Sequence, residues 1–121
     1  MEKKVTAIRM MGVNEQEVDT EARYSLEEEL QIIKSIQQRG KERDTAIEKL
    51  AQSRLRFVTA VAKKYVNNNL SMDELIEAGN KGLVLAAEKF DESRGFKFIP
   101  YAIWWVRQSI EKEIEKSNNL E

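Results

Sequence analysis

The chain has 121 residues, 41 % of them apolar and 34 % charged, with one proline, five glycines and neither cysteine nor histidine. That length suits one domain, and the missing residue types exclude disulfides, thiolate nucleophiles, Cys/His zinc sites and Ser-His-Asp triads. The net charge of −1 hides an uneven distribution, because residues 53–110 carry 9 basic and 6 acidic side chains while the segments on either side are each net acidic.

Residues 1–24 have poor periodicity and mixed polarity and are expected to form an arm, partly disordered or a short helix. The stretch YSLEEELQIIKSIQQRG predicts a helix: Ser25 is a good N-cap, Glu28 completes a capping box, and Gly40 is a natural stop. Leu26, Leu30, Ile33 and Ile36, with Ile32 beside them, make its apolar stripe. A longer helix is expected from about Lys41 to Asn67, since Ile47, Leu50, Ala51, Leu55, Val58, Val61, Ala62 and Tyr65 recur at steps of three and four. The run Asn67 to Asn69 breaks it. Ser71 and Glu74 then cap a helix that reaches about Phe90 and carries Leu75, Ile76, Leu83, Val84, Ala87 and Phe90. FDESRGFKF reads as a loop turning at Gly95, and Pro100 suits the first position of a last helix that frays near Lys116.

No strand pattern or internal repeat is present. The expected fold is all-α, a compact helical domain of about four to five helices over residues 25–116, with a tail at 117–121. Leu120-Glu121 reads as a remnant of cloning, with Asn119 the last native residue. No long apolar run or leader pattern is seen, so no membrane association is expected, and the lack of cysteine fits a reducing cytoplasm.

The segment PYAIWWVRQSIEKEI places a tyrosine and adjacent tryptophans on one short helix. With Tyr101 at zero and about 100° per residue, Ile103, Val106, Ile110 and Ile114 cluster near 140–220°, whereas Trp104, Trp105 and Gln108 lie on the opposite side with Tyr101. Aromatic side chains on a helix are more often core than ligand surface. Here, however, Arg94 and Lys97 alternate with Phe90, Phe96 and Phe98 just before the helix, and Arg54, Arg56, Lys63 and Lys64 add charge from the long helix. Cations interleaved with rings suit single-stranded nucleic acid, whose unstacked bases each contribute about 1–3 kcal/mol when stacked on an aromatic.

LRFVTAVAKKY, LSMDELIEAGNKGLVLAAEKFDESRGFKF and YAIWWVRQSI, in that order and spacing, resemble region 2 of the sigma-70 family, the promoter-specificity subunits of bacterial RNA polymerase. YSLEEELQIIKSIQQRG resembles the preceding region-1.2 helix, so the likeness runs from Tyr24 to Ile114. It implies a domain that docks on the clamp coiled coil of the polymerase β′ subunit and captures the non-template strand of the promoter −10 element in transcription initiation. Phe90, Arg94, Tyr101 and Gln108 match the pocket for a flipped adenine. Trp104 and Trp105 match the tandem tryptophans at the upstream edge of the melted region. Phe96, Lys97, Phe98 and Lys112 lie along the strand, and Arg54 and Phe57 fall where a second flipped base is held. Glu74, Glu77, Asn80 and Val84 match the surface that binds the polymerase core.

The resemblance has departures. Ala78 stands in place of an acidic residue, Asn69 in place of a glycine, Ile99-Pro100 in place of Ser-Thr, and Arg54 in place of an asparagine. Glu111 occupies a position often held by a threonine that reads the upstream −10 base pair, in a segment usually richer in arginine. A carboxylate can accept a hydrogen bond from cytosine N4, so a non-standard −10 preference is expected. The domain that reads the −35 element is absent from the chain. An anti-sigma factor is a further partner the family allows. A competing reading is an interaction module or decoy that binds polymerase but little DNA. No paired-carboxylate or phosphate-loop arrangement is present, so no enzymatic activity, cofactor or metal is expected.

Overall fold

The computed structural model describes residues 24–66 and 69–119. Residues 1–23 of the arm expected over 1–24, Asn67 and Asn68 of the expected break, and Leu120-Glu121 lie outside the described residues. The described chain is all-α: α1 (Leu26–Gln38), α2 (Arg43–Ser53), α3 (Leu55–Ala62), a 3-10 turn (Lys63–Tyr65), α4 (Met72–Lys89), a second 3-10 turn (Glu92–Arg94) and α5 (Phe98–Asn119).

Both serine caps form as the sequence predicts. The Ser25 hydroxyl accepts from the Glu28 N–H while Glu28 accepts from the Ser25 N–H, and Ser71 and Glu74 repeat the pattern. At the other end of α1 the left-handed residue is Arg39, at φ 59°, one position before the expected Gly40. Its N–H bonds the Ile36 carbonyl. Gly95, at φ 86°, makes the expected turn before α5.

The long helix expected from Lys41 is two helices. The chain leaves helical geometry at Arg54, with φ −117° and ψ 19°, although the apolar periodicity runs straight through. α5 begins at Phe98, so Pro100 sits inside the first turn, where a missing N–H breaks no intrahelical bond. The helix also continues past Lys116 to Asn119.

The core is one cluster. Ile33, Ile36, Leu50, Val58, Leu75, Leu83, Val106 and Ile110 are its largest fully buried side chains. Leu26, expected in the stripe of α1, is exposed, and Ile32 is buried in its stead. The most extensive packing is between α4 and α5. Gly82 makes it possible: a Cβ there would lie 2.5 Å from the Trp105 carbonyl oxygen and 2.7 Å from the Val106 Cα, so only hydrogen fits at the crossing. The tight crossing brings the backbone of Trp105 onto α4 and leaves the other side of α5 outward.

The α1–α2 hairpin is tied to the same unit by polar contacts. Gln37 Nε2 donates to the carbonyls of Ala87 and Phe90, both at 2.9 Å, satisfying oxygens at the C-terminus of α4. Arg43 bonds the Ile36 carbonyl at 2.6 Å and pairs with Glu88, which Arg39 also approaches.

Candidate nucleic-acid interface

The C-terminus of α4, the Glu92–Arg94 turn and the first three turns of α5 build one aromatic network. Phe90 and Phe98 meet edge to face at 5.4 Å between centroids, and Phe90 tilts against Tyr101 at 5.5 Å. Phe96 stacks on Tyr101 at 6.1 Å with 19° between planes. Tyr101 leads to Trp105 at 6.3 Å, and Trp105 meets Trp104 edge to face at 5.3 Å. The Tyr101 hydroxyl donates to the Lys89 carbonyl at 3.3 Å, which orients the ring against the end of α4.

Burial divides these residues into a floor and a surface. Phe90 and Phe98 are only 8 % and 6 % exposed, so they form the floor under Tyr101 and offer no face to a ligand. Tyr101 and Trp105 are half-buried, while Phe96 and Trp104 are 55 % and 57 % exposed. The result is a strip of rings, open at both ends, on the side of α5 away from buried Val106 and Ile110. Exposed Arg94 and Lys97 lie at its turn end, and exposed Arg107, Gln108 and Lys112 follow along α5. The turn is held by Asp91, whose carboxylate accepts from the Ser93 N–H at 3.0 Å and the Ser93 hydroxyl at 2.7 Å. Those bonds hold the Asp91 carboxyl below its usual range.

Other predicted positions are engaged within the fold. Arg54 donates through Nε and Nη2 to the two carboxylate oxygens of Glu29, both at 2.8 Å. Phe57, one turn further along α3, is half-buried against the core. Glu111 accepts a 2.6 Å hydrogen bond from the Tyr65 hydroxyl. Burial first, then the bond to and charge of Glu111, push the Tyr65 phenol up to about 12.

On α4, Glu77 is exposed and Val84 half-buried, whereas the Glu74 carboxylate is occupied as its own helix cap. Asn80 Oδ1 is the one buried side-chain polar atom without a hydrogen-bond partner among the described residues. Ala78, noted as a departure, is buried.

Sequence reasoning passed over Glu29, Gln37 and Gly82, and placed Tyr65 only in the apolar repeat of the long helix. Glu29 had a readable signal, since it lies four residues before Ile33 and so interrupts the buried stripe of α1 with a carboxylate. The partners of Gln37 and Tyr65 lie roughly fifty residues away in sequence, at |i−j| of 50 and 46, and leave no local trace.

Among the described residues no helix is long and apolar enough to cross a membrane, and no acidic cluster is arranged to hold a metal ion.

The family model for Sigma-70 region 2 matches residues 50–119, which include the end of α2, all of α3 to α5 and the whole aromatic strip. Over 69 residues, 57 % of the chain, the sequence is 54 % identical to the RNA polymerase sigma factor SigA of Microcystis aeruginosa, covering 17 % of that protein. It is 52 % identical over the same length to SigA of Nostoc sp. and to SigA1 of Synechococcus elongatus, covering 18 % and 17 % of them. The chain therefore matches less than a fifth of the length of these curated relatives.

Proposed function

The chain belongs to the sigma-70 family through its region 2, and from that membership we propose that it binds the RNA polymerase core and recognises promoter DNA, holding the −10 element by capture of single-stranded non-template bases. The observation that carries this reading is the open aromatic strip, with Phe96 stacked on Tyr101 and Trp104 exposed at the far end. Rings that face solvent beside Arg94 and Lys97 stabilise an unpaired base by stacking and its phosphate by charge, which offsets the cost of opening the duplex. No bond is made or broken, so binding energy alone performs the work and no cofactor or catalytic group is called for.

In this reading Tyr101, Trp104, Trp105 and Phe96 are the stacking surface, and Arg94, Lys97, Gln108 and Lys112 contact the strand. Phe90 and Phe98 set the height of the Tyr101 ring from below. Glu77, Asn80 and Val84, three and four residues apart on one side of α4, form the surface offered to the β′ clamp coiled coil. The place of action is the cytoplasm, with the polymerase, and an anti-sigma factor would compete for the same surfaces.

The test is binding of a labelled single-stranded −10-like oligonucleotide, with and without core polymerase, beside Tyr101→Ala and Trp104→Ala and over a range of salt. Loss of roughly tenfold or more in each variant is expected from the stacking energies. Core binding to which DNA adds nothing, unchanged by either substitution, would leave the polymerase-binding module without strand capture. The engagement of Arg54 and Glu111 inside the fold is what favours that second reading.

A further inference from the structure

Arg54 stands at the break between α2 and α3 and turns its guanidinium toward α1. Its partner Glu29 is 5 % exposed and is the only buried charged residue among the described residues. The pairing is side-on, with Nε to one carboxylate oxygen and Nη2 to the other, both at 2.8 Å. It has consequences for charge and for geometry.

The carboxylate neutralises Arg54, so this arginine adds little to a general attraction for phosphate. The side-on bond also consumes only the Nε hydrogen and one hydrogen of Nη2. The end-on edge, formed by Nη1 and the second Nη2 hydrogen, stays available. Among the described residues Nη1 has no hydrogen-bond partner and is not one of the buried unpartnered atoms, in a side chain that is 32 % exposed. An anchored guanidinium with one open edge is a rigid, directional pair of donors. Half-buried Phe57 follows three residues later, in the first turn of α3.

Resting on the strand-capture reading above, we propose that Arg54, held by Glu29, is a specificity-determining residue that selects guanine as the second captured base. Two parallel donors require two adjacent acceptors. Guanine offers O6 and N7 side by side. Adenine places an amino donor next to N7, and thymine places its N3–H between its carbonyls, so each gives one good bond and leaves a donor facing a donor. Unpaired cytosine has adjacent N3 and O2, but on a smaller ring with less stacking area, and ranks second. Neither phosphate attraction nor a purely structural ion pair would produce this order.

The experiment uses the whole chain bound to core polymerase and single-stranded −10-like oligonucleotides that differ only in the base at successive positions downstream of the captured adenine. At one position guanine is expected to bind about tenfold tighter than adenine or thymine, within the range of a bidentate arginine contact. Replacing that guanine with 7-deazaguanine, which lacks the N7 acceptor and needs no change in the protein, removes most of the gain. Arg54→Lys, with its fold checked by circular dichroism, abolishes the preference. Glu29→Gln blunts it and steepens the salt dependence, because the freed guanidinium then attracts phosphate. Equal affinity for guanine, adenine and thymine, 7-deazaguanine binding as well as guanine, or a preference that survives Arg54→Lys would each overturn the proposal. Every arm is repeated with Tyr101→Ala. Binding that needs Tyr101 but ignores the second base defeats this inference alone, while binding indifferent to Tyr101 defeats the strand-capture reading beneath it.

Discussion

α5 and the α1–α2 hairpin pack on α4 by different physics. Between α4 and α5 the contact is apolar and close, set by Gly82 under the Trp105 backbone and filled by Leu83, Val106 and Ile110. The hairpin adds the buried isoleucines of α1 but fixes its position with directional bonds: Gln37 on two carbonyls, Arg43 on Glu88 and Arg54 on Glu29. Apolar area is non-directional and supplies most of the stability. Individual hydrogen bonds contribute about 1 kcal/mol but fix orientation. The aromatic strip therefore depends on α5 for its existence and on the hairpin for its alignment.

The largest effect is expected at the crossing. In Gly82→Ala the new Cβ meets backbone atoms, which cannot rotate away as a side chain could. Overpacking at the upper end of its roughly 1–3 kcal/mol range is offset by only about 1 kcal/mol of helix propensity, so a net loss of about 2 kcal/mol is expected in chemical denaturation. Gly40→Ala, where a Cβ would meet nothing within 4 Å, is the control and should be close to neutral. If both substitutions behave alike, close approach at Gly82 is not what holds the unit together.

A smaller effect, of a different kind, is expected in the hairpin. Gln37→Ala removes two hydrogen bonds to the end of α4 and should cost about 1 kcal/mol, since water can reach these part-buried carbonyls. One of the carbonyls belongs to Phe90, the floor under Tyr101, so binding of the −10-like strand should weaken a fewfold even where the protein stays fully folded. Gly82→Ala, by contrast, should lower the melting temperature first and lose binding only as it unfolds. Equal ratios of lost binding to lost stability in the two variants would erase the distinction between them.

The contrast also explains what the sequence disclosed. Ser25 and Ser71 with their glutamates, the turn at Gly95, and the face of α5 occupied by Val106 and Ile110 were all readable, because each depends on residues within a turn or two of one another. The break at Arg54 was not, since no glycine or proline marks it, and the partner of its side chain is 25 residues upstream. The aromatic strip was legible as a face of a helix, but its division into floor and surface was not: Phe90, Phe96 and Phe98 look alike in sequence, and only the fold buries two and exposes the third. The family's motif placed Arg54 and Glu111 by position, and position carried no information about Glu29 and Tyr65, which hold them.

The smallest effect belongs to the tie between the Lys63–Tyr65 turn and α5. The Tyr65 hydroxyl donates to Glu111, and its pKa is pushed from the ordinary 10.0 up to about 12. The folded state therefore holds this proton more tightly than the unfolded state does. Its contribution to stability is complete below pH 10 and is lost as pH rises through the interval from 10 to about 12, where the unfolded chain has released the proton and the folded one has not. Spectrophotometric titration should show a late-ionising tyrosine that disappears in Tyr65→Phe and moves back toward 10 in Glu111→Gln, because the carboxylate supplies two of the three causes that raise it. At neutral pH Tyr65→Phe should change stability by less than about 1 kcal/mol, as the bond is exposed. It should nevertheless release the Glu111 carboxylate to approach the strand, so a binding deficit against the unsubstituted protein that is largest at low salt and shrinks as salt is raised would mark like-charge repulsion, and unchanged binding would show that Glu111 lies outside the path of the DNA.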